Sequence, residues 1–448
     1  MAVSTHTFQA PKGTRDFYPQ DLAVRRYIES VWRQVSINHG FDEIDGPTFE
    51  HLDLYTAKSG PDIVSELFSF QRAGGDTDYA LRPEFTPTLA RMYAAQAGSL
   101  PKPTKWFSIG PYFRAERPQR GRLREHVQLN VDIIGDDSPR ADAELITTAI
   151  ELLTCLHFTS DQIQFKISHR DIPKFFFLGR GAQPDQLEVL YDLTDRYHKI
   201  STGELRERGK DRGVSGALLD AIDELITQCQ TEDGTKRILD EARDNKFDPT
   251  NFAALLKQYL AAPGTSDWFR VDPSIVRGLA YYTGTVFEIH ETTGKERAIA
   301  GGGRYDNLVE LFGGPPTAAC GFAMGDVVLR LVLEDHGLLR PAEQYMPVPD
   351  VFVIDLCEQD LQDHLPTLVS ELRRAGLHVR HSYKTTRNVG KLLSEANKVR
   401  ARFAVILGKE LDEGNVVLKD LRSSEQEEIA RETVIEMLRT KLAMCEGG

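Results

Sequence analysis

Trp106-Phe-Ser-Ile-Gly-Pro-Tyr-Phe113, Arg114-Ala-Glu-Arg-Pro-Gln-Arg-Gly-Arg-Leu-Arg124 and Glu125-His-Val-Gln-Leu-Asn-Val-Asp-Ile-Ile-Gly135 run on without a break. The outer two segments have the periodicity of strands. In the last of them Val127, Leu129, Val131 and Ile133 share one face, and His126, Gln128, Asn130 and Asp132 share the other, because successive strand side chains alternate. A strand with one polar face is either the floor of a polar cleft or half of a hairpin with one side in water. The segment between carries five arginines and one acid. A guanidinium is a planar fork that matches phosphate oxygens two at a time. This hairpin therefore suits a triphosphate or a nucleic-acid backbone; the plainer reading is a solvated basic loop.

Working outward, apolar spacing predicts a helix over 21–38, ended by His39-Gly40, and a short strand over 41–44. A helix over 141–156 follows the hairpin. Residues 171–264 are rich in charged helical stretches (187–198, 216–230, 235–243) and read as a helical insertion. Strand character returns over 282–290 and near Ala298 and Gly321, and a helix spans 326–337. Three prolines within 340–349 mark a linker. Beyond it strands (351–354, 378–381, 403–407, 416–420) alternate with helices (361–375, 389–399, 425–442), the pattern of a compact α/β domain.

The 448 residues correspond to two to four domains at roughly 100–200 residues each. With 41% apolar and 27% charged residues, the chain as a whole is neither disordered, collagenous nor a disulfide scaffold. Its 54 Lys and Arg against 67 Asp and Glu give a net charge of −13, so any nucleic-acid contact must use local patches. One such patch is 373–409, with ten Lys/Arg against the single acid Glu395; its plainer reading is a basic surface balanced by the acidic 410–436. The five cysteines form no C-x-x-C pair, no apolar run reaches membrane-span length, and the start lacks the regions of a signal peptide. The expectation is a cytoplasmic, soluble protein with no membrane contact.

No P-loop, dinucleotide fingerprint, H-E-x-x-H or G-x-S-x-G occurs, so a bound nucleotide needs another device. Four further clusters can carry chemistry. In Ala80-Leu-Arg-Pro-Glu-Phe-Thr86, Arg82, Glu84 and Thr86 share a face if extended, and a carboxylate with a hydroxyl suits an ammonium group; alternatively Thr86 caps a helix starting at Pro87. Arg277-Gly-Leu-Ala-Tyr-Tyr282 leads into a strand. If both tyrosines lie on it, only one faces a given pocket; the plainer reading is aromatics packed into the core. Ala300-Gly-Gly-Gly-Arg-Tyr-Asp306 allows positive φ and a close approach of backbone to ligand, or makes a hairpin turn. Cys320-Gly-Phe-Ala-Met-Gly325 runs as a strand into a helix N-terminus, a natural place for an anion.

In this order the pieces resemble the histidyl-tRNA synthetase family, of the class II aminoacyl-tRNA synthetases, over nearly the whole chain. Gly40–Glu50 and Phe113–Asp132 look like the first two class motifs and Gly321–Gly325 like the start of the third, while Arg277–Tyr282 and Ala300–Asp306 resemble the two histidine-specific motifs. The resemblance implies an α+β fold: a class II antiparallel sheet with flanking helices (1–170 and 265–340), the helical insertion (171–264) and a C-terminal α/β anticodon-binding domain (350–448). It implies activation of L-histidine with ATP, assisted by Mg²⁺, then transfer to tRNA(His) by a homodimer. Arg277 and Arg114 would be the catalytic cations, with Arg114, Glu116 and Arg122 holding ATP. Glu84, Thr86, Gln128, Asp132, Tyr281 and Tyr282 would hold histidine, with Asp132 and Tyr282 on the imidazole. Gln119, Arg120, Arg124, Arg387 and Lys391 would touch tRNA. No metal-ligating residues are implied.

The sequence departs from the family pattern twice. Ala280 stands where an acid is usual. Val328 stands where the third motif has an arginine for the ATP γ-phosphate, with Arg330 two residues on; an arginine of the 117–124 loop is the candidate substitute. Two other readings are a non-aminoacylating regulatory subunit of ATP phosphoribosyltransferase and a tRNA-binding sensor. The basic C-terminal domain weighs against the first.

Overall fold

The computed structural model describes residues 8–59, 61–197, 200–244, 265–276, 281–356 and 364–446. It divides the chain into two compact units, Met1–Ala342 and Glu343–Gly448.

The strands of the first unit are β1 (Asp42–Glu43), β2 (Phe49–His51), β3 (Ser69–Gln71), β4 (Asp78–Leu81), β5 (Thr104–Phe113), β6 (Glu125–Ile134), β7 (Ile163–His169), β8 (Phe269–Val271), β9 (Thr285–Glu291), β10 (Ala300–Arg304) and β11 (Ala319–Gly325). Eight of them form one sheet in the order β1-β5-β6-β11-β10-β9-β7-β8. Its body is antiparallel, from β5–β6 through β11, β10 and β9 to β7. Each edge adds a short parallel strand, β1 on β5 and β8 on β7, so the expected antiparallel sheet has parallel rims. Long connections precede β5 and β8, which is what a parallel pairing needs. β2, β4 and β3 make a small separate sheet.

Apolar stripes set the flanking helices. Pro19–Asn38 begins with Pro at its first position, buries Val24, Ile28, Trp32 and Val35 at helical spacing, and is followed by Gly40 at φ +74°. Pro139–Cys155 starts after Ser138 in extended conformation, again with Pro first, and packs on β6, β11 and the first helix. The apolar face of β6 (Val127, Leu129, Val131, Ile133) is buried. The helix at Thr86 differs from expectation. It spans Thr86–Gln96, Phe85 is its N-cap residue, and no side chain caps it.

The stretch 171–244 holds five helices: Asp171–Gly179, Leu187–Arg196, Thr202–Asp211, Gly216–Gln228 and Glu232–Asp244. They enclose a core built on Phe176, Phe177, Leu190, Leu193, Ile222 and Leu225. Two of the five have no counterpart in the sequence pattern. Pro173 sits in the first turn of Asp171–Gly179, where proline is tolerated, and Thr202–Asp211 buries only Leu205 and Gly209, too little to make a stripe. Residues 198–199 and 245–264 of the expected insertion lie outside the described residues, as does the start of the helix expected over 361–375.

The second unit is a mixed sheet of β12 (Val351–Asp355), β13 (Val379–His381), β14 (Phe403–Leu407), β15 (Asn415–Asp420) and β16 (Gln426–Ala430), ordered β13-β12-β14-β15-β16. The first three strands are parallel, and β15 and β16 are antiparallel additions. The helices are His364–Arg374, Val389–Lys398 and Val434–Glu446. The single helix expected over 425–442 is thus a strand followed by a helix. Gln426-Glu-Glu-Ile-Ala430 has helical propensity, but its backbone completes a hairpin with β15, and pairing outweighs propensity. Among the described residues no helix is long and apolar enough to cross a membrane.

Candidate active site

The arginine segment is the loop of the β5–β6 hairpin, and its own backbone orders it. Arg114 N–H donates to Arg124 O at 2.9 Å, and Gln119 and Arg122 exchange two such bonds at 3.0 and 2.9 Å across a turn with Gly121 at φ +73°. This order sorts the arginines. Arg114 points inward, its Nε 3.4 Å from Pro83 O. Arg122 pairs with Glu116. Arg120 pairs with Glu296 at 2.6 Å, and Arg124 donates to the carbonyls of Glu116 and Lys12 at 3.2 and 3.5 Å. Gln119 is exposed at the tip.

Above the polar face of β6 lies a pocket of about 230 Å³. Glu84, Thr86, Arg114, Gln128, Asp132, Tyr281 and Tyr282 all line it, together with Asn130, Tyr305 and the glycine-rich backbone of β10 and β11. Glu116, Arg122, Gln119, Arg120 and Arg124 are not among its lining residues. The polar face is a chain of hydrogen bonds. His126 Nε2 meets Gln128 Oε1 at 3.2 Å, Gln128 Nε2 donates to Asn130 Oδ1 at 2.9 Å, and Asn130 Nδ2 donates to Tyr112 Oη at 3.1 Å. Burial, with the charges of Arg114, Arg15 and Arg122 nearby, lowers the His126 pKa to about 4, so this imidazole is neutral at neutral pH.

At the inner end of the face stands Asp132, whose carboxylate accepts the Tyr305 hydroxyl hydrogen. Burial drives its pKa up to about 7, against the pull of that hydrogen bond. The sequence reading misses Tyr305 as a site residue although it lies within the glycine-rich stretch, one position beyond the end of β10. Asn130 was assigned to the polar face but not to the site.

Neighbouring bonds place the tyrosines. Thr283 N–H donates to Arg304 O at 2.8 Å and Thr283 Oγ1 to Asp306 Oδ2 at 3.0 Å, while Asp306 Oδ1 accepts from Ala319 N–H at 3.1 Å. Arg304 is buried, with Nη2 2.7 Å from Asp142 Oδ2 and further bonds to the carbonyls of Asp136 and Ser138, and so ties β10 to the helix Pro139–Cys155. Tyr281 and Tyr282 precede β9, which starts at Thr285, so they do not alternate as strand residues. Both line the pocket, with ring centroids 4.7 Å apart.

Three other expectations need correction. Gly301–Gly303 form neither a turn nor a positive-φ loop; they are the middle of strand β10. A Cβ on Gly303 would meet Tyr282 Cδ1 at 2.9 Å, one on Gly302 would meet Phe322 Cα at 2.7 Å, and one on Gly321 would collide with the Asp132 carboxylate. Gly302, Gly303 and Gly321 make room for protein groups, while the backbone of Gly301 lines the pocket. The helix N-terminus after Gly325 is not open to an anion, since Asp326 itself accepts Val127 N–H at 2.9 Å and pairs with Arg15 at 2.7 Å. Arg82 does not share a face with Glu84 and Thr86; it is buried and donates to Asp45 at 2.8 Å and to Pro111 O at 2.9 Å.

In the second unit, Lys391, Lys384, Lys398, Asn388 and the exposed Tyr383 line a groove at the start of the helix Val389–Lys398. Arg387 is exposed in the loop leading into it.

Residues 13–326 match the family described as histidyl-tRNA synthetase, and residues 350–441 match the anticodon binding domain. The chain belongs to the histidyl-tRNA synthetase family. The histidine–tRNA ligase of Opitutus terrae is 37% identical over 441 residues, covering 97% of this chain and 98% of that protein. The crystal structure of histidyl-tRNA synthetase from Nostoc sp. PCC 7120 superposes with a TM-score of 0.72 at 24% identity, covering 98% of this chain and 100% of that one. A Bacillus halodurans structure described as an ATP phosphoribosyltransferase regulatory subunit/histidyl-tRNA synthetase shares the fold at 21% identity and a TM-score of 0.64, over 88% of this chain and 97% of its own.

Arg277 and Ala280, in the histidine-specific stretch of this family member, lie outside the described residues. Val328 is buried in the helix Asp326–Asp335. Arg330 points to the first helix, pairing with Asp21 at 3.0 Å and Glu334 at 2.8 Å. Within the 117–124 loop, Arg120 and Arg122 are held by acids and Arg124 by carbonyls, while Arg117 is exposed.

Proposed function

We propose that the pocket above β6 is where this histidine–tRNA ligase activates L-histidine. The observation that carries the proposal is the joining, in one pocket, of the buried Asp132–Tyr305 pair, the Glu84 carboxylate and the inward-pointing Arg114. The imidazole donates a ring N–H to Asp132, and Tyr282 bonds the other ring nitrogen. Gln128 and Tyr281 flank the substrate, and Glu84 with Thr86 takes the α-ammonium group. A histidine carboxylate oxygen attacks the α-phosphorus of ATP, the bond to the β-phosphate oxygen breaks, and pyrophosphate leaves. Arg114 and Arg277 neutralise the charge that develops, so positioning and electrostatics carry the step. The Glu116–Arg122 pair orients the nucleotide, and Mg²⁺ arrives on its phosphates. A terminal ribose hydroxyl of the tRNA then attacks the histidyl carbonyl carbon and AMP leaves.

The second unit reads the anticodon through Arg387 and Lys391, while Gln119, Arg120 and Arg124 meet the tRNA near the pocket. Activation is assigned to 1–170 with 265–340, 171–264 is an insertion, and 350–448 is the reader. The protein acts as a cytoplasmic homodimer. Supporting the dimer are the exposed Phe49 and Phe70, clustered with the half-buried Tyr79 at ring-centroid distances of 5.6–5.8 Å on the small β2-β4-β3 sheet.

The test is ATP–pyrophosphate exchange with each of the twenty amino acids. Exchange with histidine alone, lowered by orders of magnitude in Arg277→Ala while histidine binding persists, is expected. No exchange with any amino acid from folded protein would favour the regulatory or sensor reading.

A further inference from the structure

Next in the chain to the pocket wall stands an arginine with no role yet in the activation of histidine. Arg297 stands just before Ala298 and Ile299, both of which line the pocket. A Cβ on Gly121, at the turn of the arginine loop, would lie 3.9 Å from Arg297 Cδ and 3.3 Å from Val328 Cγ2. The three residues therefore meet at one spot on the rim, with Arg297 and Val328 within about 7 Å of each other. Among the described residues Arg297 makes no hydrogen bond or ion pair, although its neighbours on the rim are paired: Arg122 with Glu116, and Arg120 with Glu296. Arg297 is exposed; desolvation and the like charge of Arg122 lower its pKa, and Glu116 works the other way. An unpaired guanidinium held beside a second one is unfavourable unless an anion joins them. An anion with several closely spaced negative oxygens, such as a polyphosphate, matches a guanidinium in this position.

We infer that Arg297 binds the outer phosphates of ATP, the part that leaves as pyrophosphate, beside the Glu116–Arg122 pair. The inference rests on the reading of the pocket as the activation site. A charge-assisted bond to phosphate is worth roughly ten- to hundredfold in affinity.

The experiment compares Arg297→Ala, Arg297→Lys and the unchanged protein. It measures the KM for ATP and for histidine in pyrophosphate exchange, ATP and AMP affinity by equilibrium dialysis, and the KM for tRNA in charging. Expected is a rise of at least tenfold in KM and Kd for ATP in the alanine variant, less in the lysine variant. AMP affinity and both other KM values should hold. Unchanged ATP affinity overturns the inference, as does equal loss of ATP, AMP and histidine, which marks a structural role. A rise confined to the tRNA KM assigns Arg297 to the RNA backbone and also overturns it. If the unchanged protein shows no histidine-dependent exchange, the activation reading fails instead, and the dialysis of ATP against AMP still decides Arg297.

Discussion

Replacing Asp132 with asparagine should stabilise the empty protein and ruin it as a histidine binder. Burial lifts the Asp132 pKa from its ordinary 3.8 to about 7. Between those values the native state holds a proton that the unfolded chain has lost, so stability falls as pH rises through that window. Above about pH 8 the full cost of an ionised buried carboxylate is in place. At roughly 1.4 kcal/mol per pH unit, that cost is about 4 kcal/mol. Asparagine keeps the shape and carries no charge. Asp132→Asn should therefore resist urea better than the parent by up to about 4 kcal/mol at pH 8.5, and the advantage should vanish towards pH 4. L-Histidine should reverse the order. At a hundred times its dissociation constant it stabilises the parent by about 2.7 kcal/mol, whereas the variant has lost the charged acceptor and needs far more histidine for the same gain. The assay is urea unfolding at pH 5, 7 and 8.5, with and without L-histidine. A variant no more stable than the parent at pH 8.5, or a difference flat in pH, would refute the burial argument. Equal stabilisation of both proteins by histidine would remove Asp132 from the imidazole.

Other substitutions probe the same geometry. Tyr305→Phe removes the donor that holds the Asp132 pKa down. The carboxyl pKa, followed by carbon NMR, should rise by about one to two pH units, and histidine affinity at pH 7 should fall about tenfold; an unmoved pKa would deny the hydrogen bond its role. Gly321→Ala puts a methyl group into the Asp132 carboxylate, at an overpacking cost of about 1–3 kcal/mol, and should abolish histidine-dependent exchange with the circular dichroism unchanged. Exchange at the parent rate would show that the strands yield. Lys391→Ala should raise the KM for tRNA and lower the salt dependence of tRNA binding by about one ion, leaving exchange untouched; the same tRNA KM at every salt concentration would place the RNA elsewhere.

Much of the site was legible because strand alternation is strict. The period of two put Gln128 and Asp132 on one face before any tertiary contact was known, and the arginine segment between two strands had to be a loop. Alternation could not say whether that face met water or a cleft. Burial by β10, β11 and the two tyrosines settles it, and those elements come from far along the chain. The same limit explains the misread glycines, since Gly301–Gly303 are required by strands that cross them and by the Tyr282 ring, none of which is local in sequence. It also explains Gln426–Ala430, whose helical composition yields to a partner strand.

The amino-acid order alone determined the element types over most of the chain, the polar face of β6, the two basic surfaces and the family resemblance, because these depend on periodicity and composition within short windows. Only the tertiary structure decided which charges are already spent. Arg82, Arg120, Arg122 and Arg304 look alike in the sequence, yet each is taken up by an acid, and Arg297 is left without one beside the pocket wall. A sequence reports that a guanidinium is present; whether it is free to hold a phosphate depends on what folding has brought within about 4 Å of it.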